Sequence, residues 1–277
     1  AMKSKSGAEE QGLIVFADAH HNTRPENMEQ LYQYLIKNTD PGRIYEWYLD
    51  YQKTSFGQVY RHMTTFMKLY AQADCVVICD NFLPVASCKK NPRTKVVQLW
   101  HACGAFKKFG YDTEDDIPAN YRGNVFANID LVTVSAPGCC EPFASAMRLP
   151  LQNVRPLGVS RTDVYYDEQW RRNCIREFYQ KYPDAKEKKV VLWAPTFRGN
   201  PADPGSIELD IPALQQELGE EYLVLTRVHP HMMKKYGKNN CPIVTERLFP
   251  VVDVLIADYS SLIYEYLLFG NPMILYV

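Results

Sequence analysis

Short apolar runs alternate with amphipathic segments through the first half of the chain. The apolar runs predict buried strands at Leu13–Ala17, Ile44–Leu49, Cys75–Cys79, Val96–Trp100 and Leu131–Val134. Apolar residues at helical spacing predict helices over Asn27–Ile36 and Ser55–Ala73. Because strands that alternate with helices form parallel βαβ units, we expect a doubly wound α/β domain here, with Leu131–Val134 as its last strand.

The same alternation begins again after residues 150–167, which are rich in Pro, Gly and polar residues. Helices are expected over Glu168–Tyr182 and Ile211–Leu218. Strands are expected at Val190–Trp193, Tyr222–Val228, Pro242–Thr245, Val254–Ala257 and Met273–Val277. The pattern therefore predicts two Rossmann-like domains, 12–157 and 158–277. A parallel sheet is normally covered on both faces, so we expect the second domain to be incomplete at Val277.

The last strand–helix–strand unit carries the first candidate for a binding site. Asp258, Ser260 and Ser261 stand between an apolar strand and an apolar segment of helical length. Ligands of open parallel sheets bind beyond the carboxyl ends of the strands, and a helix N-terminus favours an anion. The two serines could hold a phosphate there, or Ser260 could serve only as a helix N-cap.

Composition places the chain among ordinary soluble globular proteins and gives no reason to expect a nucleic-acid partner. The 277 residues carry a formal net charge of −1, so any anion site must come from local clusters of charge. No apolar run in this sequence reaches membrane-spanning length, and no signal peptide is visible in it. The eight cysteines lack zinc-ligand spacing, which favours free thiols and no metal site.

Polar residues at other predicted strand ends supply the remaining candidates. His101 directly follows the strand at Val96–Trp100 and could accept a proton near neutral pH, while Lys107 and Lys108 behind it could face an anion. The alternative is a histidine that only bonds backbone at a strand end.

Arg198 follows another strand, and its guanidinium suits phosphate oxygens, although it could equally be a surface arginine. Arg227 and His229 share one face of a strand end, with His231 beyond Pro230. Metal binding by the two histidines lacks a third ligand at sensible spacing. GxGxxG, P-loop and GxSxG motifs are absent from the sequence, so it supports neither a dinucleotide fingerprint, nor a phosphate-binding P-loop, nor a nucleophile elbow.

Four segments in order resemble the CDP-glycerol glycerophosphotransferases, which build and extend teichoic acids. They are VVQLWHACGAFKKFGYD (96–112), VLWAPTFR (191–198), LTRVHPH (225–231) and DVLIADYSSLIYEYLLFGNPMILYV (253–277). Weaker similarity lies in ADCVVICDNFLP (73–84) and GVSRTDVYY (158–166). The resemblance implies a GT-B-like fold, in which two doubly wound domains face a cleft.

The resemblance also implies a reaction. Glycerol phosphate would pass from CDP-glycerol to a hydroxyl of a polyprenyl-diphosphate-linked acceptor without a metal or cofactor, releasing CMP. The enzyme would then be cytoplasmic and peripheral at the inner face of the bacterial membrane. Open alternatives are CDP-ribitol as donor, a UDP-sugar glycosyltransferase of the same fold, and a binding module without turnover.

Residue roles follow position by position from the matched motifs. His101 and His229 would be catalytic, with His101 as the general base. The donor would be held by Thr196, Arg198, Arg227, His229, Asp258, Ser260 and Ser261, and the acceptor side would include Lys107 and Lys108. The loop after His101 is one residue longer than the family's usual run before the two lysines. This difference leaves the identities of acceptor and polyol open.

Overall fold

The computed structural model describes residues 12–114, 116–117, 120–196, 209–228 and 240–276. The chain divides into two compact units, Ala1–Asp163 and Val164–Val277. The boundary expected from the sequence, between residues 157 and 158, stays a prediction. Both units are α/β with parallel sheets, which confirms the expected fold class.

The first unit is built on a parallel sheet of six strands in the order β2-β1-β3-β4-β5-β6. Its strands are β1 (Ile14–Asp18), β2 (Ile44–Tyr48), β3 (Cys75–Ile78), β4 (Lys95–Gln98), β5 (Leu131–Thr133) and β6 (Val154–Arg155). Its helices are α1 (Glu26–Asn38), α2 (Phe56–Gln72), α3 (Leu83–Ala86) and α4 (Cys140–Met147). The strand order places β3 and β4 side by side in the middle of the sheet.

Apolar side chains pack against helices on both faces of this sheet. Val76 and Val96 belong to a core cluster that contains Phe66 of α2 and Phe143 of α4, all fully or almost fully buried. Each such aromatic contributes about 1.5–3 kcal/mol when it is removed from water. On the other face, Phe16 packs with residues of α1. These two layers fix the strands, and so they fix the positions at which the strands end.

The second unit contains a parallel sheet of four strands in the order β10-β9-β7-β8. The strands are β7 (Lys189–Ala194), β8 (Tyr222–Thr226), β9 (Val254–Ala257) and β10 (Met273–Leu275). The helices are α5 (Glu168–Lys181), α6 (Ile211–Leu218), α7 (Thr245–Leu248) and α8 (Leu262–Tyr266). Asp167 caps the N-terminus of α5, since its carboxylate accepts the N–H groups of Gln169 and Trp170, and the helix ends before Pro183.

Two expectations about strands are wrong. Leu131–Val134 was expected to be the last strand of the first half, but Val154–Arg155 pairs beside it as a further strand. Pro242–Thr245 was expected to be a strand, but no strand forms there and Thr245 begins α7. The side chain of Asn240 accepts the N–H of Thr226 at 2.6 Å and donates to Val224 O at 3.0 Å. This amide therefore pairs the backbone of β8 in place of a neighbouring strand.

No helix in the described ranges is both long and apolar enough to cross a membrane. The longest of them, α2, has 17 residues.

Gly110 marks a close approach between two chain segments of the first unit. Its φ is +58°, and a Cβ built on it would lie 2.4 Å from the backbone oxygen of Ala146. The left-handed conformation and the contact both exclude a side chain. The loop that begins at His101 therefore runs through a position where only glycine fits.

We predict that Gly110→Ala lowers the free energy of unfolding of the first unit by about 2–5 kcal/mol, through backbone strain and overlap. Urea unfolding monitored by circular dichroism measures the change. Gly57→Ala is the matched control, because nothing lies within 4 Å of its Cβ position, in the first turn of α2. An unchanged midpoint for Gly110→Ala would contradict the close approach of Gly110 to Ala146.

Candidate active site

His101 lies at the carboxyl edge of the six-stranded sheet, three residues beyond the end of β4. The backbone of β4 still pairs with β3 at this edge, since Leu99 N donates to Ile78 O at 2.8 Å. The His101 side chain is 47% exposed, so its ring can be reached by a substrate. The sequence-based placement of a histidine at this edge agrees with the structure.

The imidazole of His101 is paired with the carboxylate of Asp80, which stands just beyond the end of β3. His101 Nδ1 lies 3.2 Å from Asp80 Oδ2. His20, from the loop after β1, places its Nε2 4.0 Å from Asp80 Oδ1. Burial opposes ionisation of Asp80, but the hydrogen bond and charge of His101 and the charge of His20 outweigh it. They hold the pKa of Asp80 below its usual value.

A fully buried glutamine connects the two loops that carry this pair. Gln98 Nε2 donates to the backbone oxygen of Asp80 at 3.0 Å, and Gln98 Oε1 accepts the N–H of Trp100 at 2.9 Å. Both ends of the amide are therefore satisfied. One side chain sets the position of Asp80 against the residue that precedes His101.

Trp100 packs against a face of the His101 imidazole. Its backbone is in the left-handed region, with φ at +56°, which costs a bulky residue strain and is found where surrounding contacts impose it. The indole ring stacks on His101 with the centroids 4.5 Å apart and the planes at 27°. The indole also packs against the rings of Phe109, Phe126 and Phe143. The strained backbone is therefore supported by an aromatic core.

A second carboxylate at this edge belongs to Asp18 and is fully buried. Asp18 Oδ2 accepts the backbone N–H groups of His20 and His21 and lies 2.9 Å from His21 Nδ1. Cys79 Sγ donates to Asp18 Oδ1 at 3.8 Å. Burial raises the pKa of this thiol well above its usual value. Asp18 therefore fixes the loop that carries His20.

Lys107 and Lys108 are exposed on the loop that follows His101. Along the chain, the two lysines come after His101 and before the short 3-10 helix at Gly110–Asp112. Their exposure is compatible with the expected role on the acceptor side, and that role stays a prediction.

In the second unit the loops after β7 and β9 are joined by Thr196 and Asp258. Thr196 donates its N–H to Asp258 Oδ1 at 2.8 Å, and its hydroxyl lies 2.9 Å from each carboxylate oxygen. Asp258 is fully buried. β7 and β9 are neighbours, so the two residues close the carboxyl edge of this sheet. Both residues were expected from the sequence, but their contact was not.

Ser260, Ser261 and Arg227 stand at the same edge and have partial structural partners. Ser260 is buried, and its hydroxyl accepts the N–H of Leu262 at 3.3 Å, which supports the start of α8. Ser261 precedes that helix without a side-chain cap bond. Arg227 Nη1 donates to Cys241 O at 2.9 Å, while its buried Nε has no partner among the described residues.

Two of the expected donor residues, Arg198 and His229, lie outside the described residues. Within the described ranges no group of three or more His, Cys, Asp or Glu side chains is arranged to hold a metal ion. The eight cysteines are free. Asp80 was missed as a site residue. The available signal was its position directly after an apolar strand that neighbours the strand before His101.

The chain is similar in sequence to primases of teichoic acid synthesis. A teichoic acid ribitol-phosphate primase from Bacillus spizizenii is 34% identical over 95% of this chain and 72% of its own length. A teichoic acid glycerol-phosphate primase from the same organism is 30% identical over 72% of this chain and 55% of its own length.

The fold is similar to that of the wall teichoic acid polymerase TagF. The TagF structure described as H444N with CDPG aligns with a TM-score of 0.72 and 21% identity, over 96% of this chain and 70% of that one. This likeness confirms the expected GT-B-like fold class.

A sequence model of one family covers almost the whole chain. It matches residues 2–277 and describes CDP-glycerol:poly(glycerophosphate) glycerophosphotransferases. The relatives of this chain include both glycerol- and ribitol-phosphate enzymes. With a family match of this extent, the chain belongs to the CDP-glycerol:poly(glycerophosphate) glycerophosphotransferase family, enzymes of teichoic acid synthesis.

Proposed function

We propose that this protein transfers a polyol phosphate from a CDP-linked polyol to a hydroxyl of a teichoic acid acceptor and releases CMP. The observation that carries the proposal is the imidazole of His101. It is half exposed at a sheet edge and paired through Nδ1 with a carboxylate, in a chain of this family. An imidazole held in this way can take a proton near neutral pH.

The proposed step is a displacement at the phosphorus that carries the polyol. His101 accepts the proton of the acceptor hydroxyl through Nε2 as the acceptor oxygen forms a bond to that phosphorus. The bond between this phosphorus and the bridging oxygen of CMP breaks, and CMP leaves with the electron pair. His101 then returns its proton to solvent. Such a transfer needs in-line placement and charge stabilisation more than covalent help.

The donor is proposed to bind at the carboxyl edge of the four-stranded sheet. Thr196 and Asp258 hold the loops after β7 and β9 together, so they give this edge a fixed shape. Charge on the leaving CMP would be balanced by cations of the same edge. The full proposed set is Thr196, Arg198, Arg227, His229, Asp258, Ser260 and Ser261, with His229 acting as the second catalytic residue.

The polyol itself distinguishes two proposals, CDP-glycerol and CDP-ribitol. The family description and the TagF structure with CDPG support glycerol. The ribitol-phosphate primase, however, is more similar and matches over more of this chain than the glycerol-phosphate primase does, with 95% against 72% of the chain. This difference favours CDP-ribitol as the first donor to test, with CDP-glycerol as the alternative.

The acceptor is proposed to be a teichoic acid chain, or its linkage unit, carried on a polyprenyl diphosphate. Such a substrate stays at the membrane surface, so we propose that the enzyme works as a peripheral protein at the inner face of the bacterial membrane. The exposed Lys107 and Lys108, on the loop behind His101, supply positive charge for the acceptor phosphates.

We predict that His101→Ala lowers the rate of transfer by about 10²–10⁴-fold, because one positioned base contributes that much. Binding of the CDP-polyol should change by less than a few-fold, since the imidazole acts on the acceptor hydroxyl. Single-turnover release of CMP and calorimetric titration of the donor measure the two effects separately.

The control is His62→Gln, which replaces a histidine of the same unit that stacks on Trp47 instead of standing at the sheet edge. It should keep the transfer rate within a few-fold. Transfer at the wild-type rate in His101→Ala would remove His101 as the base.

A second prediction concerns the donor edge. Thr196→Val removes the hydroxyl that donates to the buried Asp258, and a hydrogen bond to a charged group is worth about 1.5–3 kcal/mol. Because that bond holds the two loops, we expect Kd for the CDP-polyol to rise about tenfold or more, with a smaller change in kcat.

Thr196→Ser is the matched variant, since it keeps the hydroxyl, and its Kd should stay within about twofold of wild type. Equal donor affinity in wild type and Thr196→Val would show that this contact does not shape the donor site.

A further inference from the structure

The Asp80 carboxylate is bound from several directions, and only one of its contacts is with His101. Asp80 Oδ1 accepts the backbone N–H of Asn81 at 2.6 Å, which fixes the carboxylate against its own loop. Its backbone oxygen accepts from the buried amide of Gln98. The side chain is 27% exposed, so it is partly shielded from water but still solvated.

We propose that Asp80 is the positioning residue of His101. Its carboxylate accepts a hydrogen bond from Nδ1–H of the imidazole. Nε2 is then unprotonated and can take the proton of the acceptor hydroxyl. This inference rests on the proposed function for the identity of the acceptor, but the pairing itself is a property of the free protein. Asp80 acts through His101 and has no contact of its own with the reacting atoms.

Two physical effects follow from the pairing. The hydrogen bond selects the tautomer with the proton on Nδ1, because Nε2 faces away from the carboxylate. The negative charge also stabilises the imidazolium that forms after the proton is taken. It can do so because Asp80 is ionised at neutral pH, its pKa being held below the usual value.

Gln98 gives the pair its rigidity. It bonds the backbone of Asp80 at one end and the N–H of Trp100 at the other, at 3.0 and 2.9 Å. A change in the distance between the two loops would break one of these bonds within a buried site. A buried donor or acceptor left without a partner destabilises the fold, so both bonds are kept and the two loops stay at a fixed distance.

The ionisable side chains that contact the Asp80 carboxylate in the described ranges are His101, through Oδ2, and His20, through Oδ1. His20 is 39% exposed, and its 4.0 Å separation is too long for a hydrogen bond. On the His101 loop itself, Lys107 and Lys108 are exposed cations. Any pH dependence of this site therefore includes contributions from these groups.

The test uses Asp80→Asn, which removes the charge at constant shape, and Asp80→Ala, which removes the hydrogen bond as well. In ¹⁵N-histidine-labelled wild-type protein without substrate, we expect neutral His101 to carry its proton on Nδ1. In Asp80→Ala it should shift towards the Nε2–H form. His101→Gln assigns the signals.

Kinetics provide the second readout on the same variants. We expect Asp80→Asn to lower kcat about 10–100-fold with little change in KM for the donor. The acid limb of the pH–rate profile should move to lower pH, because an imidazolium that has lost the carboxylate 3.2 Å from its Nδ1 gives up its proton more readily. A merely structural role would lower the rate without moving the limb.

Asp74→Asn is the matched control, because Asp74 directly precedes β3 and pairs with Arg93 at the opposite edge of the same sheet, so the length of a strand separates it from Asp80. It should leave the tautomer and the acid limb unchanged. His20→Gln should leave the tautomer of His101 in place and move the limb less than Asp80→Asn does.

An Nδ1–H tautomer that persists in Asp80→Ala, or an acid limb in Asp80→Asn that coincides with wild type, would overturn the proposal. The tautomer is read without substrate, so it tests the pairing even if the transfer reaction is not the one proposed. Conversely, an intact pairing in a protein that releases no CMP would count against the proposed function alone.

Discussion

The candidate active site depends on one buried hydrogen-bonded side chain, Gln98. Parallel pairing brings the ends of β3 and β4 to the same edge of the sheet, but backbone pairing stops there. Beyond that point the two loops are connected by the side-chain amide of Gln98, which donates to the backbone oxygen of Asp80 and accepts the N–H of Trp100. Because the amide is fully buried, both bonds must be made for the site to be stable. The spacing of Asp80 and His101 follows from this requirement.

The second unit uses the same physical device. Thr196 and Asp258 follow neighbouring strands of the other sheet and bind each other where those strands end. In both units a buried polar group continues the sheet by one contact and leaves the next residues of the loop for chemistry. This arrangement explains how loops at a sheet edge can hold functional groups in fixed positions.

Much of the fold could be predicted from the sequence because it depends on local patterns. Apolar runs of strand length and helical spacing identified the main strands and helices, and Ile211–Leu218 agrees in both its ends. The sequence pattern gave wrong predictions of strands where long-range contacts determine the backbone structure. The strand Val154–Arg155 has two residues and exists through its pairing with β5. Residues 242–245 form a short, mostly apolar run typical of a strand, but the side chain of Asn240 already bonds the backbone of β8.

The candidate site shows the same division. His101 stood out because a histidine directly follows an apolar run, and Thr196 and Asp258 follow strands in the same way. The pairing of Asp80 with His101 was not visible, since it joins residues from two loops and depends on the order of strands in the sheet. The strained backbone of Trp100 is also a product of packing, which single-sequence patterns do not contain.

The most direct test of the proposed polyol-phosphate transfer is CMP release by the protein with a synthetic polyprenyl-diphosphate-linked acceptor. CDP-ribitol, CDP-glycerol and a UDP-sugar would be offered one at a time, with the product identified by mass spectrometry. We expect CMP release from a CDP-polyol, with one polyol phosphate added to the acceptor. Nucleotide release from the UDP-sugar alone would contradict it and leave the shared fold as the basis for a different transferase.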